Sequence, residues 1–349
     1  MREFHYRTRD GLTRVLINVD HGEAIDELTR DHTKVLVIAS KSIVNQLRTS
    51  HPTIIIGDGE ESKDMSTVLT LIGKAHSMGL DRDGLIVGVG GGSVLDTVGF
   101  TASIYMRGVD YVNVPTTMLS MVDAALGGKT AVNAMGIKNV IGIIRQPRAI
   151  IVDLGFLRTL PEHNYLDGFG EVIKYGVTLD RDLLNYVITN HGDLRARDPR
   201  ALEYVITRSL TLKARIVEED EEDRLSVRLV LNYGHTVGHA IESATNFSIS
   251  HGRAVSMGMV CEAQVGVRLG FTREYVVDVL IKALGMYDLL TKNLPLNNEA
   301  LIKAMLSDKK RSGSVIKLPV VTQVGSWAMV KVPIEEFTRM VTETCRFTQ

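Results

Sequence analysis

The sequence predicts an α/β domain with a mainly parallel sheet over residues 1–157, followed by a mainly α-helical domain over residues 158–349. Three observations carry this expectation. The chain has 349 residues, more than twice the length of a common single domain. Up to about Asp153, short runs rich in Val and Ile alternate with amphipathic stretches. Beyond Pro161 long helical patterns take over.

In order, the strand-like runs are "TRVLINV", "KVLVIAS", "TIIIG", "GLIVGVG", "YVNVP" and "AIIVD". Helical spacing lies between several of them, as in "MSTVLTLIGKAHSMG", and that alternation is the pattern of a parallel sheet. The second half supplies "GFGEVIKYGV", "PRALEYVITRSLTLKARIVEE", "GHTVGHAIESA" and "RAVSMGMVCEAQVGVRLG" as helices. "SVIKLPVV" and "SWAMVKV" follow as a short strand pair. The acidic run "EEDEED", Glu218 to Asp223, reads as a solvated helix end or loop.

Forty basic residues nearly balance 41 acidic ones, which argues against a nucleic-acid binder driven by bulk charge. Cys261 and Cys345 stand far apart and form no CxxC pair, so neither a disulfide nor a cysteine-rich metal site is expected and a reducing compartment fits. The start "MREFHYRTRDGLTRV" is too charged for a signal peptide, and no run approaches a membrane span. The expectation is a soluble cytoplasmic protein.

Three groups of residues carry chemistry. In "LIVGVGGGSVLDTVGF" a strand meets a helix at Gly90, Gly91 and Gly92, which remove side chains where a phosphate would need backbone N–H groups; Ser93 can cap the helix behind them. The run misses the GxGxxG fingerprint at Ser93, so a plain tight turn stays open. In "NYGHTVGHAIE" His235 and His239 are four apart, on one helical face, and can chelate one ion; hydrogen-bonded core histidines are the other reading. His251 opens a further helix, and "GEVIKYG" puts Glu171 and Lys174 on one partly apolar face, where surface decoration is a poor explanation. Glutamate with two histidines is a catalytic zinc set that leaves positions for water or substrate. Lastly, Asp123, Lys129, Lys138 and Asn139 lie among small apolar residues, and Arg107, Lys213, Arg228, Asn232 and Lys309–Lys310 add further cations and amides. Together they point to a strongly anionic substrate such as a phosphorylated sugar acid.

The motifs "GGGSVLD", "YMRG", "VPTTMLSMVDAALGGKT", "KNVIG", "GEVIKYG", "NYGHTVGHAIE" and "HGRAVSMGM" occur in the order and spacing of 3-dehydroquinate synthase, and from about Asp58 to Gly325 the chain resembles that family. The resemblance implies a Rossmann-like NAD-binding domain, a helical domain holding a divalent metal (zinc first, cobalt second) and a homodimer. It implies that 3-deoxy-D-arabino-heptulosonate 7-phosphate is converted to 3-dehydroquinate and phosphate, by transient oxidation with NAD, phosphate elimination, reduction and aldol closure. Against the spacing argument, the metal ligands it implies are Glu171, His235 and His251, with His239 facing the substrate. Asp123, Lys129, Lys174, Lys213, Arg228, Asn232 and His239 would serve the chemistry. Lys138, Asn139 and one of Lys309 or Lys310 would bind substrate, and Arg107 would reach its phosphate across the dimer. Glu60, Lys63, Gly90, Gly91, Gly92, Asp96, Thr116 and Thr117 would hold NAD, with Asp123, Lys129 and Lys138 also touching it. A two-domain cleft suits a cofactor retained through each cycle.

The chain departs from the family at three places. Ser40 and Lys41 stand where the family has an aspartate for the adenosine ribose, which bears on NAD against NADP. Arg253 replaces the glutamate after "HG", and Asp223 is an imperfect match near "EEDEED". The alternatives are a sibling cyclase acting on sedoheptulose 7-phosphate or glucose 6-phosphate, a metal-dependent polyol or glycerol phosphate dehydrogenase, and a non-catalytic NAD-binding regulator.

Overall fold

The computed structural model describes residues 2–291, 294, 296–307 and 314–345, so Lys309 and Lys310 lie outside the described residues. The chain divides into two compact units, Met1–Pro161 with Leu202–Glu222, and Glu162–Ala201 with Asp223–Gln349. The segment Leu202–Glu222, which the sequence placed in the second domain, groups with the first.

Nine strands form in the first unit: β1 (Arg2–Thr8), β2 (Gly11–Ile17), β3 (Val35–Ser40), β4 (Thr53–Ile56), β5 (Leu85–Gly90), β6 (Asp110–Pro115), β7 (Lys129–Ala134), β8 (Ile137–Ile144) and β9 (Ala149–Val152). Seven make one sheet in the order β1-β2-β9-β6-β5-β3-β4, parallel throughout except where β1 meets β2. All six expected runs are strands of this sheet. The central ones are buried on both faces, as β5 is along its whole length, which is why they read as unbroken apolar runs. β1 escaped the sequence reading because it is an edge strand: of "REFHYRT" only Tyr6 is fully buried. The hairpin β7–β8 escaped it because its lysines and asparagine read as a pocket lining.

The acidic run is more than a solvated end. Glu218 accepts from the Arg7 N–H at 2.6 Å and Glu221 from the Arg9 N–H at 2.6 Å, while Asp220 is buried. Glu218 thus occupies a backbone donor of edge strand β1, which would otherwise be open to pairing, and Glu221 one in the turn just after it.

Among the described residues the second unit is helical apart from one hairpin, β10 (Val315–Gln323) with β11 (Ser326–Pro333). The helices that matter for function are Phe169–Leu179, His235–Ala244 and His251–Arg268. The hairpin returns the chain so that helix Ile334–Thr344 packs with His251–Arg268 in one apolar core containing Val237, Ile241, Met257, Phe337 and Val341. That core also holds Cys261 and Cys345, which are joined as a disulfide with Cα atoms 5.3 Å apart across 84 residues. The expectation of no disulfide is therefore corrected: separation along the chain sets no bound on distance once a hairpin folds the terminus back. No helix among the described residues is long and apolar enough to cross a membrane.

Candidate functional site

In the first unit β5 ends at Gly90, and helix Gly92–Ile104 follows with Gly91 as its N-cap. No side chain caps this helix, so its first N–H groups are left for an external acceptor, the arrangement that receives phosphates. The expectation that Ser93 caps it is corrected, since the Ser93 hydroxyl donates to Glu60 Oε1 at 3.1 Å. Gly90 is required by space: a Cβ there would stand 2.7 Å from the Cβ of Val94.

Around this turn the predicted residues form one connected set. The parallel register places Gly90 beside Pro115, and the Thr116 N–H donates to the Gly90 carbonyl at 3.0 Å. Thr117 shares a hydrogen bond with the Ser120 hydroxyl at 2.9 Å. Buried Lys63 donates to Asp96 Oδ2 at 2.6 Å, yet burial still pushes the Asp96 carboxyl up to about 6. Glu60 behaves oppositely. Burial opposes its charge, but the Asn133 amide at 2.7 Å and the neighbouring Lys63 hold its carboxyl below the usual glutamate range.

Asn133 is a residue the sequence reading missed. Its N–H donates to the Lys63 carbonyl at 2.8 Å and its Oδ1 accepts from the Asn139 N–H at 2.9 Å, so it ties hairpin β7–β8, with Lys129, Lys138 and Asn139, to the Glu60–Lys63 turn. Asp123 sits in a short π-helical turn, Ser120–Ala124, a distortion frequent at functional sites. Lys213 donates to the Asp123 carbonyl at 2.7 Å and pairs with its carboxylate at 2.8 Å. Arg107 is exposed on a turn where it and Met106 both adopt the left-handed region, with φ of 67° and 47°. Just after β3, Ser42 donates its N–H at 3.0 Å and its hydroxyl at 2.7 Å to the carboxylate of Asp58, which follows β4.

In the second unit Glu171 and Lys174, on helix Phe169–Leu179, are both buried and paired with each other. His235 and His251 are each the first residue of a helix. Their Nε2 atoms lie 3.7 Å and 3.6 Å from Glu171 Oε1. Among the described residues, two groups of ligand atoms converge within 4.8 Å: Glu171–His235–His251 and His239–Glu242–His251. His235 and His239 share a helix, but among the described residues no third ligand converges on both. The His239 side chain is 62% exposed, and its Nε2 is 4.0 Å from Glu242.

The imidazoles are oriented by what lies behind them. The Tyr233 carbonyl can only accept, so His235 Nδ1, 3.2 Å away, carries the proton, and Nε2 keeps a lone pair with which it can ligate a cation shared with Glu171. His251 turns Nδ1 to Glu242 at 3.6 Å and Nε2 to Glu171. Burial, helped by Lys174, drives His235 well below the ordinary histidine range; His251 is likewise opposed by burial, but Glu171 and Glu242 on either side raise it to about 10. A buried carboxylate with two imidazoles, each presenting Nε2, fits a tetrahedral divalent cation with one position open. Arg228 is buried on the turn Val227–Asn232, and Asn232 ends that turn. Asp223 and Ser226 just before it have positive φ, 56° and 69°.

Comparison with known proteins places this geometry in context. Residues 53–167 match the family model of the 3-dehydroquinate synthase N-terminal region, and residues 168–311 that of its C-terminal region. The chain is 44% identical over 331 residues to the 3-dehydroquinate synthase of Sulfolobus acidocaldarius, covering 91% of this chain and 93% of that one. It is 42% identical over 329 residues to that of Saccharolobus solfataricus, covering 92% and 93%. Among solved structures, a 2-deoxy-scyllo-inosose synthase complexed with carbaglucose-6-phosphate, NAD+ and Co2+ shares the fold, with a TM-score of 0.88, 24% identity and coverage of 98% of this chain and 100% of that one. The chain belongs to the 3-dehydroquinate synthase family.

Proposed function

We infer that this chain is a 3-dehydroquinate synthase, converting 3-deoxy-D-arabino-heptulosonate 7-phosphate to 3-dehydroquinate and phosphate, with NAD and a divalent cation, zinc by preference. The observation that carries the reading is the meeting of Glu171, His235 and His251 beside buried Lys174, in a chain that also has an uncapped glycine turn. Bound to these sites, the cation supplies Lewis-acid charge to substrate oxygens and the nicotinamide a reversible hydride acceptor. Glu171, His235 and His251 would hold the cation. The N–H groups after Gly91, with Glu60, Lys63, Asp96, Thr116 and Thr117, would hold the dinucleotide.

The chain's own residues take the remaining roles. Lys174, kept from water beside Glu171, offers a cation for an oxyanion of the substrate. Lys213, steered by Asp123, and Lys129, Lys138, Asn139 and Arg228 balance a substrate that carries both a carboxylate and a phosphate. His239, exposed and next to Glu242, can carry a proton to or from the substrate, and Asn232 offers an amide to a hydroxyl. The Asp58 carboxylate beside Ser42 favours a dinucleotide with a free 2′-hydroxyl, hence NAD over NADP despite Ser40 and Lys41. We also propose a homodimer in which Arg107 serves the neighbouring site, and a cytoplasmic setting in which the buried Cys261–Cys345 bridge is structural.

The test combines purified protein, zinc, the heptulosonate phosphate and a catalytic amount of NAD, following phosphate, dehydroquinate and NADH together. Phosphate and dehydroquinate should rise far beyond the NAD supplied with no net NADH. NADH accumulating with product would make the chain a dehydrogenase, and turnover of sedoheptulose 7-phosphate instead would make it a sibling cyclase. Clearly tighter binding of NADP than of NAD would overturn the role given to Asp58.

A further inference from the structure

The three elements that bring a candidate ligand to the metal cluster are linked in series by two buried carboxylates, neither of them itself a ligand. Helix His251–Arg268 begins with His251, and its first N–H groups have no partner within the helix. Asp167 supplies one. Its Oδ2 accepts from the Gly252 N–H at 3.1 Å, its Oδ1 accepts from the Arg253 N–H at 3.1 Å, and the Ser250 hydroxyl donates to Oδ1 as well. Asp167 stands four residues before Glu171, in the same stretch of chain. The fit is close, since a Cβ on Gly252 would overlap the Asp167 carbonyl.

Helix His235–Ala244 repeats the device with a different donor. Its Ncap is Gly234, in the left-handed region with φ of 81°, and no side chain of its own caps it. Glu262 does so from the middle of helix His251–Arg268. Its Oε2 accepts from the Gly234 N–H at 2.8 Å and its Oε1 from the Val237 N–H at 3.2 Å. Gly258, one turn earlier on that helix, lies where a Cβ would overlap the Gly234 carbonyl, so the two backbones touch. Both carboxyl groups are buried, and each accepts backbone N–H groups at the positive end of a helix.

We propose that Asp167 and Glu262 are positioning residues for the metal, linking its ligands in series: the Glu171 segment holds the helix of His251 through Asp167, and that helix holds His235 through Glu262. This rests on the reading of Glu171, His235 and His251 as the ligand set. A ligand displaced by a fraction of an ångström loses much of its bond to a small cation, and removing groups that orient ligands costs about 10–100-fold in metal affinity.

The experiment measures zinc dissociation constants by competition with a chromophoric chelator, and the visible absorption of the cobalt-loaded protein, for Asp167→Asn, Glu262→Gln and Ser250→Ala. An amide in place of either carboxylate keeps shape but turns one acceptor into a donor. Asp167→Asn and Glu262→Gln should each weaken zinc about 10–100-fold and alter the cobalt spectrum. Ser250→Ala, which removes only the hydroxyl on Asp167, should weaken it by less and covers the case in which an amide variant fails to fold. Arg268→Ala is the control: it breaks an ion pair with Glu343 at the far end of the same helix and should leave zinc affinity unchanged whatever it does to the melting temperature. Wild-type affinity and an unchanged cobalt spectrum in folded Asp167→Asn and Glu262→Gln would overturn the proposal, as would an equal loss in Arg268→Ala. If the wild-type protein binds no zinc, the ligand reading itself fails, which is a separate outcome.

Discussion

At the glycine turn of the first unit the groups offered to a ligand are backbone N–H groups within three consecutive residues, whereas the cluster of the second unit draws side chains from positions 171, 235 and 251. The turn needs little beyond its own residues, a register with β6 and a hydroxyl or two nearby. The cluster needs three helices held in place, and the chain spends further buried carboxylates, close glycine contacts and a disulfide in the same core on holding them. The contrast teaches that a site of backbone groups is fragile at its own residues, while a site of distant side chains is fragile at residues that never touch the ligand.

The largest effect that would sharpen this contrast is expected at Glu171. Replacing it with glutamine removes a ligand and leaves buried Lys174 without its partner, so about 3–5 kcal/mol of stability should be lost. Zinc affinity should fall by more than about a hundredfold. Metal content after dialysis and a thermal melt read the two losses, and dinucleotide binding should survive in whatever fraction folds. Retention of zinc by the folded variant would break the comparison at its strongest point.

A smaller, opposite pattern is expected of Gly90→Ala. Its new methyl meets Val94 at 2.7 Å, an overpacking worth about 1–3 kcal/mol, and disturbs the turn that would receive phosphates. Dinucleotide affinity, followed by fluorescence titration, should drop while zinc content stays at the wild-type level. Loss of zinc together with the dinucleotide would mean that the two sites are not separately built.

The smallest effect concerns pH. Each region holds a carboxyl raised by its surroundings: partly buried Asp96 at about 6 against an ordinary 3.8, and buried Glu262 at about 7 against 4.5. A carboxyl raised in the folded state contributes stability that is whole below the unfolded value and is lost as pH rises through the folded one. Melting temperatures of the metal-free protein should therefore fall between about pH 4 and 7 more steeply for the wild type than for Asp96→Asn or Glu262→Gln. The Asp96 part of the slope should end about one pH unit earlier than the Glu262 part. Identical slopes in all three proteins would remove burial as the cause.

Much of this was legible in the sequence, for reasons that differ by region. The six apolar runs declared the sheet because a parallel sheet is buried on both faces, and the glycine turn declared itself because its residues are consecutive. Edge strand β1 and hairpin β7–β8 hid behind charged and polar side chains on exposed positions. Helical spacing suggested His235 and His239 as a pair, yet the atoms that converge with Glu171 are those of His235 and His251, because a cluster is decided by how helices cross. Asp167, Glu262 and Asn133 carried no spacing signal, since each acts on backbone groups far away in sequence. Nor could the span of 84 residues between Cys261 and Cys345 announce a bridge that a hairpin makes possible.

The most direct test of the account is a diffraction experiment on zinc-loaded crystals at the zinc absorption edge. The account predicts one anomalous peak bonded to Glu171, His235 Nε2 and His251 Nε2, with Asp167 and Glu262 still on the helix ends behind them. A peak coordinated by His235 and His239 instead, or by His239, Glu242 and His251, would contradict it.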